Sequence, residues 1–341
     1  TQPLAGAYAD KHGSTQVLAF GAVFAALGFA LRGLLFDETM FILTGFIVGI
    51  GTGACSFPVV IVALGKVVEA KQRSFILGLG TAAASAGMFA GAPIATTLIG
   101  TIGWGIAIFF VAASFLIILP LLIFVSRASE KPSPLREKLN TIQAIKIAFS
   151  DRSYTLLFFG FFVCGFHVQF IQTHLPAYIT DEGLAPIIGA WSLALIGLFN
   201  IGGSFFSGWS GQIYSKPKLL SAIYASRAAV IALFIFTPLS GTSVLVFSAA
   251  MGILWLSTVP LTTGLIAQTQ GLKFLSTLAG LVFFSHQVGG FLGAWLGGRL
   301  YDLTGNYEAM WIAAILFGLA ATIIHLPIKE QPGKLAQAEI N

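Results

Sequence analysis

Ten stretches of this sequence are each apolar over the roughly 20 residues that a helix needs to cross a bilayer core about 30 Å thick. They run roughly over 15–36, 39–64, 74–99, 104–126, 153–178, 186–210, 219–238, 243–267, 276–298 and 309–328. Inside hydrocarbon every backbone N–H and C=O must find its partner within the segment, so runs of this length are restricted to helices. An all-α membrane protein follows, and residues 1–8 read as the last turns of a further helix. Composition agrees: 56% of residues are hydrophobic and 9% charged, whereas a soluble domain carries about a quarter charged. Cys55 and Cys164 fall inside apolar runs and read as free thiols. No metal-ligand spacing, cofactor motif, nucleophile elbow or phosphate loop is present, so no cofactor, metal or enzymatic activity is expected.

The loops between the runs fix an orientation. One alternate set, with the tail, holds 15 of the 18 Lys and Arg residues, among them Lys11, Lys71, Lys218 and Lys273. The opposite set holds Arg299 beside the acids Asp37, Glu38, Asp181, Glu182, Asp302 and Glu308. By the positive-inside rule the first set is cytoplasmic, which predicts a multi-pass protein of the cell inner (plasma) membrane. The formal charge of +5 is then a consequence of topology, and no nucleic-acid partner is expected. The longest polar stretch, SRASEKPSPLREKLN, separates four complete runs from six. The predicted division is 1–126 as an N-terminal bundle, 127–152 as a cytoplasmic linker, 153–330 as a C-terminal bundle and 331–341 as a cytoplasmic tail.

Sliding the sequence along itself by 202 residues pairs Gly6 with Gly208, Leu18 with Leu220, Pro58 with Pro260, Lys71 with Lys273, Ser74 with Ser276, Gly78 with Gly280 and Gly103 with Gly305. One constant shift across several helices and their loops marks a duplication. Both copies keep their basic loops on one side, so the repeat is parallel, about an axis along the membrane normal. The same shift puts the start of the first copy about fifty residues before Thr1. The expectation is a parent of twelve helices, with ten complete here plus the end of the second.

Within this frame the chain resembles the major facilitator superfamily over its whole length. GAYADKHGSTQVL (Gly6 to Leu18) resembles the family's signature loop, with Gly6, Asp10, Gly13 and Leu18 in place, and GWSGQIYSKPKLL (Gly208 to Leu220) resembles its second copy, with Gln212 where the acid would be. GIGTG (Gly49 to Gly53) resembles the glycines of a further motif, although Gly45 stands where an Arg is usual. GMFAGAP (Gly87 to Pro93) is only loosely similar to the antiporter motif. HVQFIQTHLPAYITDEGL and GLFNIGGSFFSG resemble the bacterial branch near monocarboxylate and oxalate/formate carriers. The resemblance implies two pseudo-symmetric six-helix bundles, a monomer, and a central site reached alternately from the two sides.

The polar residues inside the runs are the candidates for that site. A polar side chain without a partner is costly in hydrocarbon, so such groups face the bundle interior or a wet path. At about 1.5 Å per residue, His167 lies about 22 Å beyond Arg152, His286 about 20 Å beyond Lys273, and Asn200 and Arg227 about 16 and 14 Å in. His167 and His174 share one helix face, and Gln169 and Gln172 lie on roughly the other. The expectation is that the His167 stripe faces the cavity opposite His286 and Gln287; the bland alternative makes these side chains interhelical hydrogen bonds. His174 reads equally as an interfacial residue. Arg227 is either an anion-binding charge or a structural bond to a neighbour, and Arg32 reads as an outer ion pair with Asp37. No acid falls deep within a run, which favours an anionic or neutral cargo.

Gating is expected elsewhere. Asp10 should latch the cytoplasmic side by pairing with Arg73 or with a helix N-terminus, as the resemblance to the signature loop implies; the alternative is a plain solvated loop charge. Pro58 and Pro260 should loosen the backbone and permit bending, or equally be passive packing kinks. Gly87, Gly91, Gly289 and Gly293 should bring helices together across the boundary between the halves. The sequence thus points to a secondary transporter, expected to carry a small organic anion such as a monocarboxylate, with a proton coupled through His167 or His286. The alternative is an exporter of neutral or hydrophobic small molecules.

Overall fold

The computed structural model describes residues 1–34, 37–128 and 140–340. Lys131, Arg136 and Lys138 of the expected linker lie outside the described residues. The helices in chain order are α1 (Gln2–His12), α2 (Ser14–Leu34), α3 (Glu38–Ala54), α4 (Phe57–Val67), α5 (Arg73–Ile102), α6 (Trp104–Leu116), α7 (Ile118–Ala128), α8 (Thr141–Ser150), α9 (Arg152–Asp181), α10 (Pro186–Ile213), α11 (Lys216–Phe236), α12 (Gly241–Leu254), α13 (Thr258–Gln270), α14 (Leu275–Thr304), α15 (Glu308–His325) and α16 (Lys334–Ile340). They supply ten spans long and apolar enough to cross a membrane.

Local chemistry marks where the helices begin and end. Asp37 caps α3 through Thr39 N at 2.9 Å, and Asn140 and Ser240 start α8 and α12 with capping boxes. Gly103 and Gly305, one repeat apart, close α5 and α14 at φ 79° and 73°, in the left-handed region that only glycine enters without cost.

Two of the spans are not continuous helices. Glu38–Lys66 is interrupted between α3 and α4, and Gly241–Gln270 between α12 and α13. The two breaks are repeat-related. Pro58 lies in the first turn of α4, and Pro260 is the third residue of α13, where an N–H would lack an intrahelical partner in any case. Both prolines thus stand directly after a break, where the backbone ladder of the span is already interrupted.

The halves meet along two seams, α1 against α14 and α5 against α10. A Cβ on Gly280 would lie 2.8 Å from the Gln2 carbonyl oxygen, and one on Gly78 would lie 2.8 Å from that of Ser204, the same contact one repeat later. Gly6 likewise abuts the Ser276 carbonyl and Gly208 that of Ser74. Only glycine allows backbones this close. This corrects the glycines chosen from sequence. Gly289 and Gly293 face the carbonyls of Phe162 and Phe166 within the second half, and Gly87 and Gly91 have nothing within 4 Å. Both seams lie toward the end that carries Lys71, Lys216 and Lys273, called here the basic end. The outward rim of the spans is apolar, with Phe236, Leu233 and Ile323 among its exposed residues.

At the basic end the chain's last residues bind the second half. Gly333 N donates to the Thr269 carbonyl at 2.7 Å, joining the tail to the end of α13, and Gln270 of α13 donates to Asp151 Oδ2 at 2.8 Å at the start of α9.

Candidate substrate site and gate

The buried polar layer predicted from sequence exists, and most of it is spent on structure. His167 is fully buried and its Nε2 bonds the Ala314 carbonyl at 2.7 Å, tying α9 to α15. His174 bonds the Ala294 carbonyl at 2.8 Å, tying α9 to α14, with the Tyr307 ring beside it. Neither faces an open path, so the expectation that the His167 stripe lines the cavity is corrected. The physical reason is local: small residues on the facing helices, Gly318 against His167 and Gly297 against His174, leave room for the imidazoles to reach a carbonyl.

Arg227 is also fully buried. Its Nε and Nη2 donate to the Leu254 carbonyl at 3.2 and 2.7 Å, and Nη2 also donates to the Trp255 carbonyl. These carbonyls are the acceptors left free where α12 stops, and a cation at a helix C-terminus is favoured by the dipole as well. Asn200 serves the same break from α10. Its Oδ1 accepts from Leu256 N at 3.0 Å and its Nδ2 donates to Ser85 Oγ at 2.8 Å across the α5–α10 seam. Ser207 donates to the Ser257 carbonyl. Arg227 and Asn200 thus clamp one helix break.

What remains open is the other stripe. Gln172 and Thr173 are exposed, Gln169 is half-buried with its Nε2 3.4 Å from Thr173 Oγ1, and on the neighbouring α14 Gln287 is exposed and His286 half-buried. Amides facing lipid would be costly, unlike the apolar rim, which makes this face the candidate lining of a wet path. His286 lies against the Phe161 ring at 5.1 Å, and its Nδ1 has no hydrogen-bond partner. Phe291 and Trp295 stack at 6.1 Å on the same exposed side of α14.

At the basic end Asp10 lies at the N-terminus of α14. Its Oδ1 accepts from Ser276 N at 3.0 Å, its Oδ2 from Thr277 N and Thr277 Oγ1 at 2.6 Å each, and Lys66 Nζ reaches Oδ1 at 2.6 Å. The helix N-terminus expected as a partner for Asp10 is present. Arg73 is not the partner: it donates to the Gly65 and Val68 carbonyls at 2.8 and 3.3 Å, ending α4. Arg32 does not pair with Asp37 either; it donates to the Phe41 carbonyl at 3.0 Å and lies over that ring at 4.1 Å.

Sequence reading missed three groups. Lys66 looked like one loop cation among many. His325, fully buried and stacked on Tyr224 at 4.9 Å, lies at the end of its run. Ser85 looked like an ordinary small residue, although its repeat partner is Gln287. Among the described residues no cluster could hold a metal ion.

The Major Facilitator Superfamily profile matches residues 1–294. The chain belongs to that superfamily. Among curated superfamily relatives, the uncharacterised MFS-type transporter YcxA of Bacillus subtilis is 30% identical over 189 residues, covering 53% of this chain and 45% of YcxA. Monocarboxylate transporter 13 of Rattus norvegicus is 28% identical over 336 residues, covering 95% of this chain and 76% of that protein. The Major Facilitator fold is equally clear in solved structures. The fucose:proton symporter FucP of E. coli superposes with a TM-score of 0.74 at 16% identity, over 96% of this chain and 87% of FucP. The proton:xylose symporter XylE gives 0.70 at 15%, over 99% and 85%.

Proposed function

We propose that the chain works as part of an alternating-access carrier for a small organic anion such as a monocarboxylate, moved together with a proton, with the basic end in the cytoplasm. The observation that carries this reading is the combination of a closed basic end and a polar face open above it. The Asp10 cluster joins the halves at one end, while Gln172, Thr173 and Gln287 remain exposed at mid-span. Amide N–H groups and an imidazole are donors suited to a carboxylate, and Gln169, Gln172, His286 and Gln287 are the substrate-pathway residues of this reading. Its 28% identity to a monocarboxylate transporter over nearly the whole chain supports the substrate class. His286 is the proton carrier of the reading, because His167 and His174 are held by carbonyls and His286 is not.

The test is uptake by the complete protein reconstituted in vesicles, driven by a pH gradient. Replacing His286 by Gln should abolish gradient-driven accumulation of a monocarboxylate, while His167→Gln, which keeps a donor for Ala314, should leave it. Accumulation that survives replacement of both removes the coupling role from either. The stacked Phe291 and Trp295 on an uncharged face favour the second reading, an exporter of neutral or hydrophobic compounds. A broad inhibitor profile without pH dependence would select it.

A further inference from the structure

The latch at the basic end has a second copy that lacks its acid. Asp10 holds the start of α14 by giving one oxygen to each of two backbone N–H groups, those of Ser276 and Thr277. The 202-residue shift carries Ser276 to Ser74, Thr277 to Phe75, Asp10 to Gln212 and Lys66 to Gln268. Ser74 and Phe75 lie in the first turn of α5, and the backbone there is built alike. Arg73 N donates to the Ala70 carbonyl as Leu275 N does to that of Leu272, and Ile76 N to that of Gln72 as Leu278 N does to that of Phe274. Each pattern leaves the two N–H groups in between without a helical acceptor. At α14 the carboxylate takes them; at α5 none of the described residues does. Gln212 is exposed and makes no hydrogen bond among the described residues.

Side chains complete the copy. Ser276 Oγ accepts from Lys66 Nζ at 2.9 Å, whereas the hydroxyl of Ser74, a residue only 5% exposed, has no hydrogen-bond partner among the described residues. It points into the gap toward α13: a Cβ on Gly264 would lie 3.1 Å from Ser74 Oγ and 3.4 Å from Lys216 Cε. Lys216 Nζ in turn donates to Gln268 Oε1 at 2.8 Å, so the cation missing at position 268 is supplied from α11. Glu330, 3.7 Å from Lys216 Nζ, turns its carboxylate to Lys216 N at 3.1 Å and so serves the start of α11, not that of α5. The second seam therefore keeps the N–H pair, the hydroxyl and a cation of the first, with no acid among them.

We propose that the start of α5 binds a phosphate group arriving at the basic end, held by Ser74 N, Phe75 N, Ser74 Oγ and the Lys216 ammonium. Two oxygens on one atom match the two N–H groups, as the Asp10 carboxylate does in the other seam. A helix N-terminus with a cation beside it favours such an anion. A phosphate also has oxygens left for the hydroxyl and the ammonium, which a carboxylate lacks. Ser74 and Phe75 belong to the first half and Lys216 to the second, so the bound group joins the halves across the second seam and favours a closed basic end. Inorganic phosphate and a phospholipid headgroup offer the same chemistry. The site is independent of what the carrier carries and of any proton coupling.

The test titrates the complete protein, in lipid discs of phosphatidylcholine, with inorganic phosphate at constant ionic strength and follows the thermal midpoint. The midpoint should rise to saturation with phosphate and stay level with chloride. Gln212→Asp puts a carboxylate at the repeat position of Asp10, so it should raise the midpoint without phosphate and abolish the phosphate response. Ser74→Ala and Lys216→Gln should each weaken the apparent affinity, the latter about tenfold, as loss of one charge-assisted bond requires; these two carry the test if Gln212→Asp does not fold. Phosphate-free discs containing phosphatidylglycerol separate the sources. A rise there that Gln212→Asp removes, without a response to soluble phosphate, assigns the site to a headgroup. No response of the parent to either source overturns the proposal, and so does a response that survives in the variants. In a protein carrying Asp10→Asn, phosphate should lengthen the distance between spin labels at Glu38 and Glu182; bound phosphate with an unchanged distance overturns the joining of the halves.

Discussion

Arg227, Asn200 and His167 each bond a backbone group and none bonds another of the three, and that decides what replacing them does. Arg227→Gln leaves the Leu254 and Trp255 carbonyls under-bonded in the interior. Hydrogen bonds to a charged group contribute about 1.5–3 kcal/mol each, so a loss of about 3 kcal/mol and a clear fall in the thermal midpoint in detergent are expected. Arg227→Lys should recover part of it, since an ammonium reaches one carbonyl but lacks the fork. Asn200→Ala should cost less, about 1–3 kcal/mol for the unsatisfied Leu256 N–H. An Arg227→Gln midpoint equal to wild type contradicts the clamp. At this scale the sequence was half legible. That polar residues at 167, 200 and 227 need partners follows from the cost of burial, whereas which partners they take depends on carbonyls freed at Leu254 and Trp255, and side-chain identity carries no signal for those.

The helices themselves were readable because each is a long apolar run, and for the same reason the breaks were not. Residues 243–267 are apolar enough to read as one span, so Ser257, Thr258 and Pro260 inside them did not by themselves show that α12 stops at Leu254 and α13 starts at Thr258. The repeat relation placed Pro58 and Pro260 in equivalent positions but could not tell a kink from a fresh helix start. The seams show the same limit. With 39 glycines, composition announces close packing without saying where, and the glycines that join the halves are Gly6 and Gly280 in one seam and Gly78 and Gly208 in the other. At Gly208 an added Cβ would stand 2.6 Å from the Ser74 carbonyl oxygen and 2.7 Å from Gly78 Cα. Gly208→Ala should therefore push α10 from α5 and reduce transport strongly while leaving each half folded. Gly87→Ala, with nothing within 4 Å, should be neutral. Initial uptake rates together with detergent thermal midpoints separate the two outcomes, and equal effects at both positions would contradict the seam.

For the whole molecule the two seams are equivalent in backbone and unequal in charge. The α1–α14 seam carries Asp10 on the N-terminus of α14 with Lys66 beside it. In the other seam Gln212 stands where the acid would be, and the polar tie is the neutral Asn200–Ser85 bond. Charge-assisted bonds are roughly twice as strong as neutral ones, so most of the electrostatic hold on the basic end resides in one carboxylate. Asp10→Asn keeps the size of the side chain but loses the charge and can no longer accept from all its donors. A loss of about 1–2 kcal/mol corresponds to a factor of 5–30 in the ratio of two states, enough to move the population toward a basic end that is open. If the halves rock, opening there draws the acidic ends together. Spin labels at Glu38 and Glu182, which lie in opposite halves and are exposed, should then report a shorter distance in Asp10→Asn than in the parent. Lys66→Ala should shift the distribution less, because the two backbone donors and the Thr277 hydroxyl still hold Asp10. A distribution unchanged by Asp10→Asn would mean that the glycine contacts alone set the closed state, and the latch would have to be given up.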